Sequence, residues 1–155
     1  MDINYELYKV FYHVANTLRF SEASYAPKVQ KTVTGSELVE PASFTFLLSA
    51  SAQNPAGAEL PQKKTATLSA DRLGTFVTAF DPIRFSAPGT YVFEIREHND
   101  AQTGYTYDGS VWELTAEVTA TANGDLTVDT RYERRADGQA NTHAAFENRY
   151  RLDSV

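Results

Sequence analysis

No cysteine occurs anywhere in the 155 residues, which removes disulfides, thiolate zinc sites and cysteine nucleophiles together. Long apolar runs are missing too: nothing approaches the ~18–20 residues needed to span a bilayer. The first 25 residues lack the basic start, unbroken apolar stretch and small-residue cleavage site of a secretory leader. As it stands the chain is expected to carry neither an export signal nor a membrane anchor, and it contains no LPxTG-like sorting motif. Positive charge is scarce, with 14 Lys and Arg against 20 Asp and Glu, a formal net charge of -6 and a pI near 5.0. That balance opposes nonspecific attraction to nucleic acid or to an anionic membrane surface. His13, His98 and His143 lie in separate segments without metal-ligand spacing. Asn99-Asp100 and Asn123-Gly124-Asp125 fall short of the ligand count of a calcium loop. Nucleophile-elbow, zinc-protease and glycine-rich phosphate motifs do not occur. No metal, no cofactor and no turnover enzyme are therefore expected.

What is present points to one domain of ordinary size, rich in strand-forming residues, with nine Tyr, nine Phe and many Thr and Val. Only the start has helical spacing. Over residues 4–19, Tyr5, Tyr8, Val10, Phe11, Val14, Ala15 and Leu18 fall on one face, opposite Glu6, Lys9, His13 and Asn16. The SEAS stretch from Ser21 carries a helix-cap signal and predicts a second short helical turn.

From Pro27 onward the pattern becomes short alternating runs separated by Gly, Pro, Asn and Asp. Strands are predicted over 28–34, 43–50, 64–69, 75–80, 89–97, 111–121, 125–133 and 143–149, as expected of an antiparallel sandwich or barrel. Asn123-Gly124 suits a tight hairpin turn. Trp112, Leu114, Ala116 and Val118 read as core, and Asp108 in YTYDG reads as a turn residue.

Side chains alternate across a strand, so parity assigns faces. Tyr91, Phe93, Ile95 and Glu97 share one face, as do Val29, Lys31 and Val33, and Phe146, Asn148 and Tyr150. Three strands thus each place one polar group on an otherwise apolar face, while Lys28 and Glu94 fall on the opposite faces. Parity alone also fits three ordinary polar residues at fraying strand ends. If the groups are buried, desolvation drives lysine and glutamate toward their neutral forms. A neutral amine is a nucleophile, and a protonated carboxyl can polarise an amide.

VQKTVTG, SFTFLLSA, FDPIRFSAPGTYVFEIRE, GYTYDGSVWELTAEVT and AFENRY, in this order over residues 27–150, resemble the streptococcal pilin isopeptide linkage domain, a relative of the Cna B-type domains. The resemblance implies an all-β fold, an antiparallel Ig-like sandwich of Cna B type, and a spontaneous side-chain amide. Lys31 would be the nucleophile, Asn148 the electrophile and Glu97 the proton shuttle, its protonated carboxyl bonded to the Asn148 oxygen as ammonia leaves. It further implies a structural module of a Gram-positive pilus or surface protein, located at the cell surface or cell wall. Its expected partners are neighbouring domains or pilin subunits, with a host ligand as a further candidate. The alternative on the same sandwich is a ligand-binding adhesin, for which Tyr105 and Tyr107 would be the loop aromatics. Residues 1–26 instead resemble the truncated start of a LysR-type helix-turn-helix that ends before any recognition helix. The expected organisation is a helical appendage at 1–26, the sandwich at 27–150 and a tail at 151–155.

Overall fold

A computed structural model describes residues 19–152. The helix expected over 4–19 lies outside the described residues except for Arg19, as do residues 153–155 of the expected tail.

The described chain is built from strands. In order they are β1 (Ala23–Tyr25), β2 (Lys28–Gly35), β3 (Ala42–Ala50), β4 (Ala58–Glu59), β5 (Thr65–Ala70), β6 (Gly74–Ala79), β7 (Ile83–Phe85), β8 (Gly89–Glu97), β9 (Tyr105–Thr106), β10 (Val111–Ala120), β11 (Leu126–Arg134), β12 (Ala140–Asn141) and β13 (Ala144–Tyr150). All eight strands expected from alternation are present within a residue at either end. The five that alternation missed are two or three residues long, too short for a period of two to register.

Six strands form one sheet in the order β12-β11-β10-β8-β3-β5, and four form a second in the order β6-β2-β13-β9. Their apolar faces meet, with the Phe46 and Phe146 ring centroids 5.3 Å apart. Trp112 on β10 reaches across the core to donate its Nε1–H to the Ala145 carbonyl at 2.8 Å. The core combines Phe44, Tyr91, Ile95, Trp112, Leu114, Ala116 and Val118 from the six-stranded sheet with Val29, Val33, Ala144 and Phe146 from the four-stranded one. A third small sheet, β1-β7-β4, packs Phe85 against Tyr91 and Phe93.

The antiparallel expectation holds for the other strand pairs but not for β2 with β13, which run parallel, Val29 opposite Ala144 and Gly35 opposite Tyr150. The chain therefore enters this pair at one end and leaves at the other. Parallel neighbours need a long crossover, and here the crossover is the whole of the intervening domain. Gly35 closes β2 at φ 105°, where a Cβ would sit 2.1 Å from the Tyr150 carbonyl oxygen, so only glycine fits.

The helical turn expected from Ser21 is a strand instead. The cap signal in SEAS is local, and tertiary bonds override it. β1 pairs antiparallel with β7, Ser21 N–H reaches the Gly124 carbonyl at 2.9 Å, and the Ser21 hydroxyl donates to Asp125 at 3.0 Å. The Tyr25 and Tyr132 hydroxyls lie 2.6 Å apart, and Pro27 disfavours a helical residue before it. The hairpin at Asn123-Gly124 is also wider than a two-residue turn. Gly124 N–H bonds back to Thr121 O at 3.0 Å and Thr121 N–H to Asp125 O at 2.8 Å, while Gly124 alone takes a left-handed φ of 86°.

Candidate functional site

Lys31 projects from the middle of β2 between Val29 and Val33, and Asn148 from β13 between Phe146 and Tyr150. Parity places all of them on the inner face, and Lys31 and Asn148 are both 0% exposed. Register sets the offset: Lys31 is opposite Phe146, and Asn148 is opposite Val33. The two side chains are thus diagonal neighbours on adjacent strands. Glu97 comes from the facing sheet as the last residue of β8, its side chain also fully buried. The structure brings the three sequence-predicted residues together. Lys28 is exposed, and Glu94 pairs with Arg96 and Arg135 on the outer face.

One carboxylate oxygen joins the trio. Lys31 Nζ donates to Glu97 Oε2 at 2.7 Å, and Asn148 Nδ2 donates to the same oxygen at 2.8 Å. Glu97 Oε1 has no hydrogen-bond partner among the described residues, which disfavours the charged carboxylate further. Lys31 Nζ lies 4.4 Å from the Phe44 ring centroid and 5.9 Å from that of Phe46, so aromatic faces take the place of water around the amine. Burial lowers the Lys31 pKa from 10.5 to about 8, against the opposing pull of the bond to Glu97 and its charge. Burial likewise raises the Glu97 carboxyl above its ordinary value, while its bonds to Lys31 and Asn148 act the other way. Both shifts favour the neutral pair, amine beside carboxylic acid, which a proton reaches by crossing one 2.7 Å bond.

The carboxamide oxygen differs from its expected partner. Glu97 holds the Asn148 nitrogen, and Asn148 Oδ1 accepts the backbone N–H of Asp108 at 2.9 Å. The backbone N–H can meet only the oxygen of an amide, so the nitrogen is left to face the carboxylate. Asp108 is a turn residue, as expected, with Oδ1 accepting Ser110 N–H at 2.8 Å. It also has a second role that the sequence reading missed. Its Oδ2 accepts the N–H of Glu147 at 2.8 Å. The Asp-Gly-Ser turn signal is visible in YTYDGS, but its partners lie 39 and 40 residues away, beyond any local pattern.

Tyr105 and Tyr107 are not displayed as free loop aromatics. Both are half-buried and pack edge-on against Phe44, and Tyr105 also packs against Tyr150. Among the described residues, no three His, Cys, Asp or Glu side chains are grouped to hold a metal.

Comparison with known proteins adds a family and a fold. No curated protein sequence matches the chain. The fold is similar to the major pilin from Streptococcus pyogenes, with a TM-score of 0.64 at 18% identity over 86% of this chain and 51% of the pilin. It is also similar to the T-13 major pilin protein from the same organism, with a TM-score of 0.62 at 16% identity over 84% of this chain and 54% of that one. At such identities the likeness is one of fold, and the chain spans about half the length of the pilins it matches. The sequence itself matches a family model, FctA, over residues 27–151. With most of its length so matched, the protein belongs to the FctA family, the Spy0128-like isopeptide containing domains.

Proposed function

We propose that this chain is a structural module of a Gram-positive pilus or cell-surface protein, stabilised by an intramolecular amide that it forms itself between Lys31 and Asn148. The family is one of structural pilin domains and not of enzymes, and the reaction runs once per molecule. The observation that carries the reading is the single oxygen, Glu97 Oε2, touching both the attacking and the departing nitrogen among side chains with no exposure to solvent.

The neutral Lys31 amine attacks Asn148 Cγ, forming the new C–N bond and placing negative charge on Oδ1. Glu97 gives its proton to Nδ2 and takes one from Nζ. Collapse of the tetrahedral carbon expels ammonia and leaves a secondary amide, with Glu97 again protonated. Holding nucleophile, acid and electrophile in one packed site replaces the encounter that these weak reactants would need in water.

The parallel pairing gives the bond its mechanical use. Tension entering ahead of β2 and leaving after β13 loads the two strands in shear along their length. A covalent tie between them carries that force past every residue in between, a robustness that a chain without cysteine must find elsewhere. The partners in this reading are neighbouring domains or pilin subunits, at the cell surface. Residues ahead of the family match take part in this unit, since β1 pairs with β7 and Ser21 bonds to Gly124 and Asp125.

Intact-mass spectrometry tests the chemistry. The protein is expected to be one ammonia lighter than its sequence mass, with a tryptic species joining the Lys31 and Asn148 peptides. A full sequence mass in folded protein overturns the proposal.

A further inference from the structure

The proposed reaction needs a group to hold the Asn148 oxygen as charge builds on it, and Glu97 is occupied with the nitrogens. We infer that Asp108 fills this role: its backbone N–H is the donor to the developing oxyanion, and its side chain is the positioning device that keeps the N–H there. The inference rests on the cross-linking reading of Lys31, Glu97 and Asn148.

The geometry is a reciprocal clasp. Asp108 N–H donates to Asn148 Oδ1 at 2.9 Å, and Asp108 Oδ2 accepts the N–H of the preceding residue, Glu147, at 2.8 Å. Regular pairing of β13 with β9 covers only Arg149 and Tyr150. At Glu147 the ladder has ended, and the Asp108 carboxylate takes up the N–H that a strand neighbour would otherwise accept. Its other oxygen binds Ser110 N–H at 2.8 Å, which fixes the turn carrying residue 108. A donor fixed in advance needs no reorganisation when the carbonyl oxygen becomes an alkoxide, and removing one such donor elsewhere slows catalysis roughly 100- to 1,000-fold.

The clasp also sets which way the carboxamide faces. With Oδ1 on a backbone donor, Nδ2 is directed onto Glu97 Oε2 at 2.8 Å, so the leaving group starts beside its acid. A rotated carboxamide would put its NH2 against the Asp108 N–H, leaving two donors face to face. Asp108 thereby separates two tasks, oxygen to the turn and nitrogen to the acid.

The test follows ammonia loss by intact mass from the moment of synthesis in wild type, Asp108→Ala, Asp108→Asn and Trp112→Phe. Alanine leaves the N–H in the chain but frees the turn, and linking is expected to slow at least roughly 10-fold, part of the loss expected for removing the donor outright. Asparagine keeps one acceptor and is expected to recover part of the rate. Trp112→Phe loosens β13 by deleting the bond to Ala145 without touching the carboxamide, and is expected to link at the wild-type rate. Asp108→Ala that folds and links as fast as wild type overturns the inference, as does a Trp112→Phe slowed equally. Should the alanine variant not fold, amide exchange decides. In unlinked Glu97→Gln protein the Asp108 N–H is expected to be protected, and to lose that protection when Asn148→Ala is added; a freely exchanging Asp108 N–H in Glu97→Gln refutes the clasp. A wild type that never loses ammonia sinks the cross-linking reading itself, a separate result.

Discussion

Replacing Glu97 by Gln removes the proton relay while preserving side-chain volume and an oxygen that can still accept from Lys31 or Asn148. The variant is expected to fold and to keep its full sequence mass, and its loss of stability has two parts. The first is the missing loop closure: tying residues 31 and 148 together constrains a ~100-residue loop, worth about 4.7 kcal/mol in the chain-entropy account. The second is the free amine, which the linked protein does not have. Lys31 is held at about 8 with the Glu97 carboxylate among the groups raising it, so without that carboxylate the folded value falls further. The unfolded chain then binds the proton more readily, and the fold is penalised wherever the pH lies below the ordinary 10.5. At pH 9 the penalty is about 2 kcal/mol, at ~1.4 kcal/mol per unit.

Together the two parts lower the melting temperature at pH 9 by roughly 20–30 °C for a domain of this size. The sign of the pH effect is diagnostic. Stability of Glu97→Gln rises with pH as the window up to 10.5 is crossed, because the unfolded lysine also loses its proton. The gap to wild type narrows toward the loop contribution alone. Calorimetry across pH 8 to 10.5, paired with intact mass, reads both quantities. A Glu97→Gln protein that is one ammonia light refutes the relay, and one with full mass but wild-type melting refutes the stabilisation argument.

Three further outcomes follow from the same geometry. Pulled between its ends, wild type is expected never to release the chain between residues 31 and 148, whereas Glu97→Gln releases about 40 nm of extended chain; single-molecule force spectroscopy distinguishes them. Gly35→Ala places a Cβ 2.1 Å from the Tyr150 carbonyl oxygen at a left-handed φ, and is expected to cost about 1–3 kcal/mol, read as a lower denaturation midpoint. Tyr25→Phe removes the hydroxyl pair with Tyr132 and should cost about 1 kcal/mol; an unchanged urea midpoint would show that β1 is not an integral part of the unit.

The eight long strands and the inward faces of Lys31, Glu97 and Asn148 were legible from alternation, because which side a residue faces is a local property with a period of two. The family motifs, themselves strings of local sequence, carried the assignment of roles. Alternation could not say that the three faces meet. Lys31 and Glu97 are 66 residues apart, and Glu97 and Asn148 are 51 apart, so their encounter depends on sheet order and register. The same limit explains the local errors. SEAS carried a helix-cap signal but formed a strand, since the partners of Ser21 and Tyr25 lie in β7, β11 and the 121–125 turn. Asp108 was legible as a turn residue and nothing more. Its N–H reaches Asn148 and its carboxylate takes the Glu147 N–H because residue 108 follows β9 alongside β13, a placement set by strand pairing. Local sequence was enough to say which face of its strand each of these side chains takes, because that alternation needs no distant partner. The tertiary structure alone decided the parallel pairing of the first long strand with the last, and that the Asn148 oxygen faces Asp108 rather than Glu97, because hydrogen bonds between distant strands have no counterpart in local pattern.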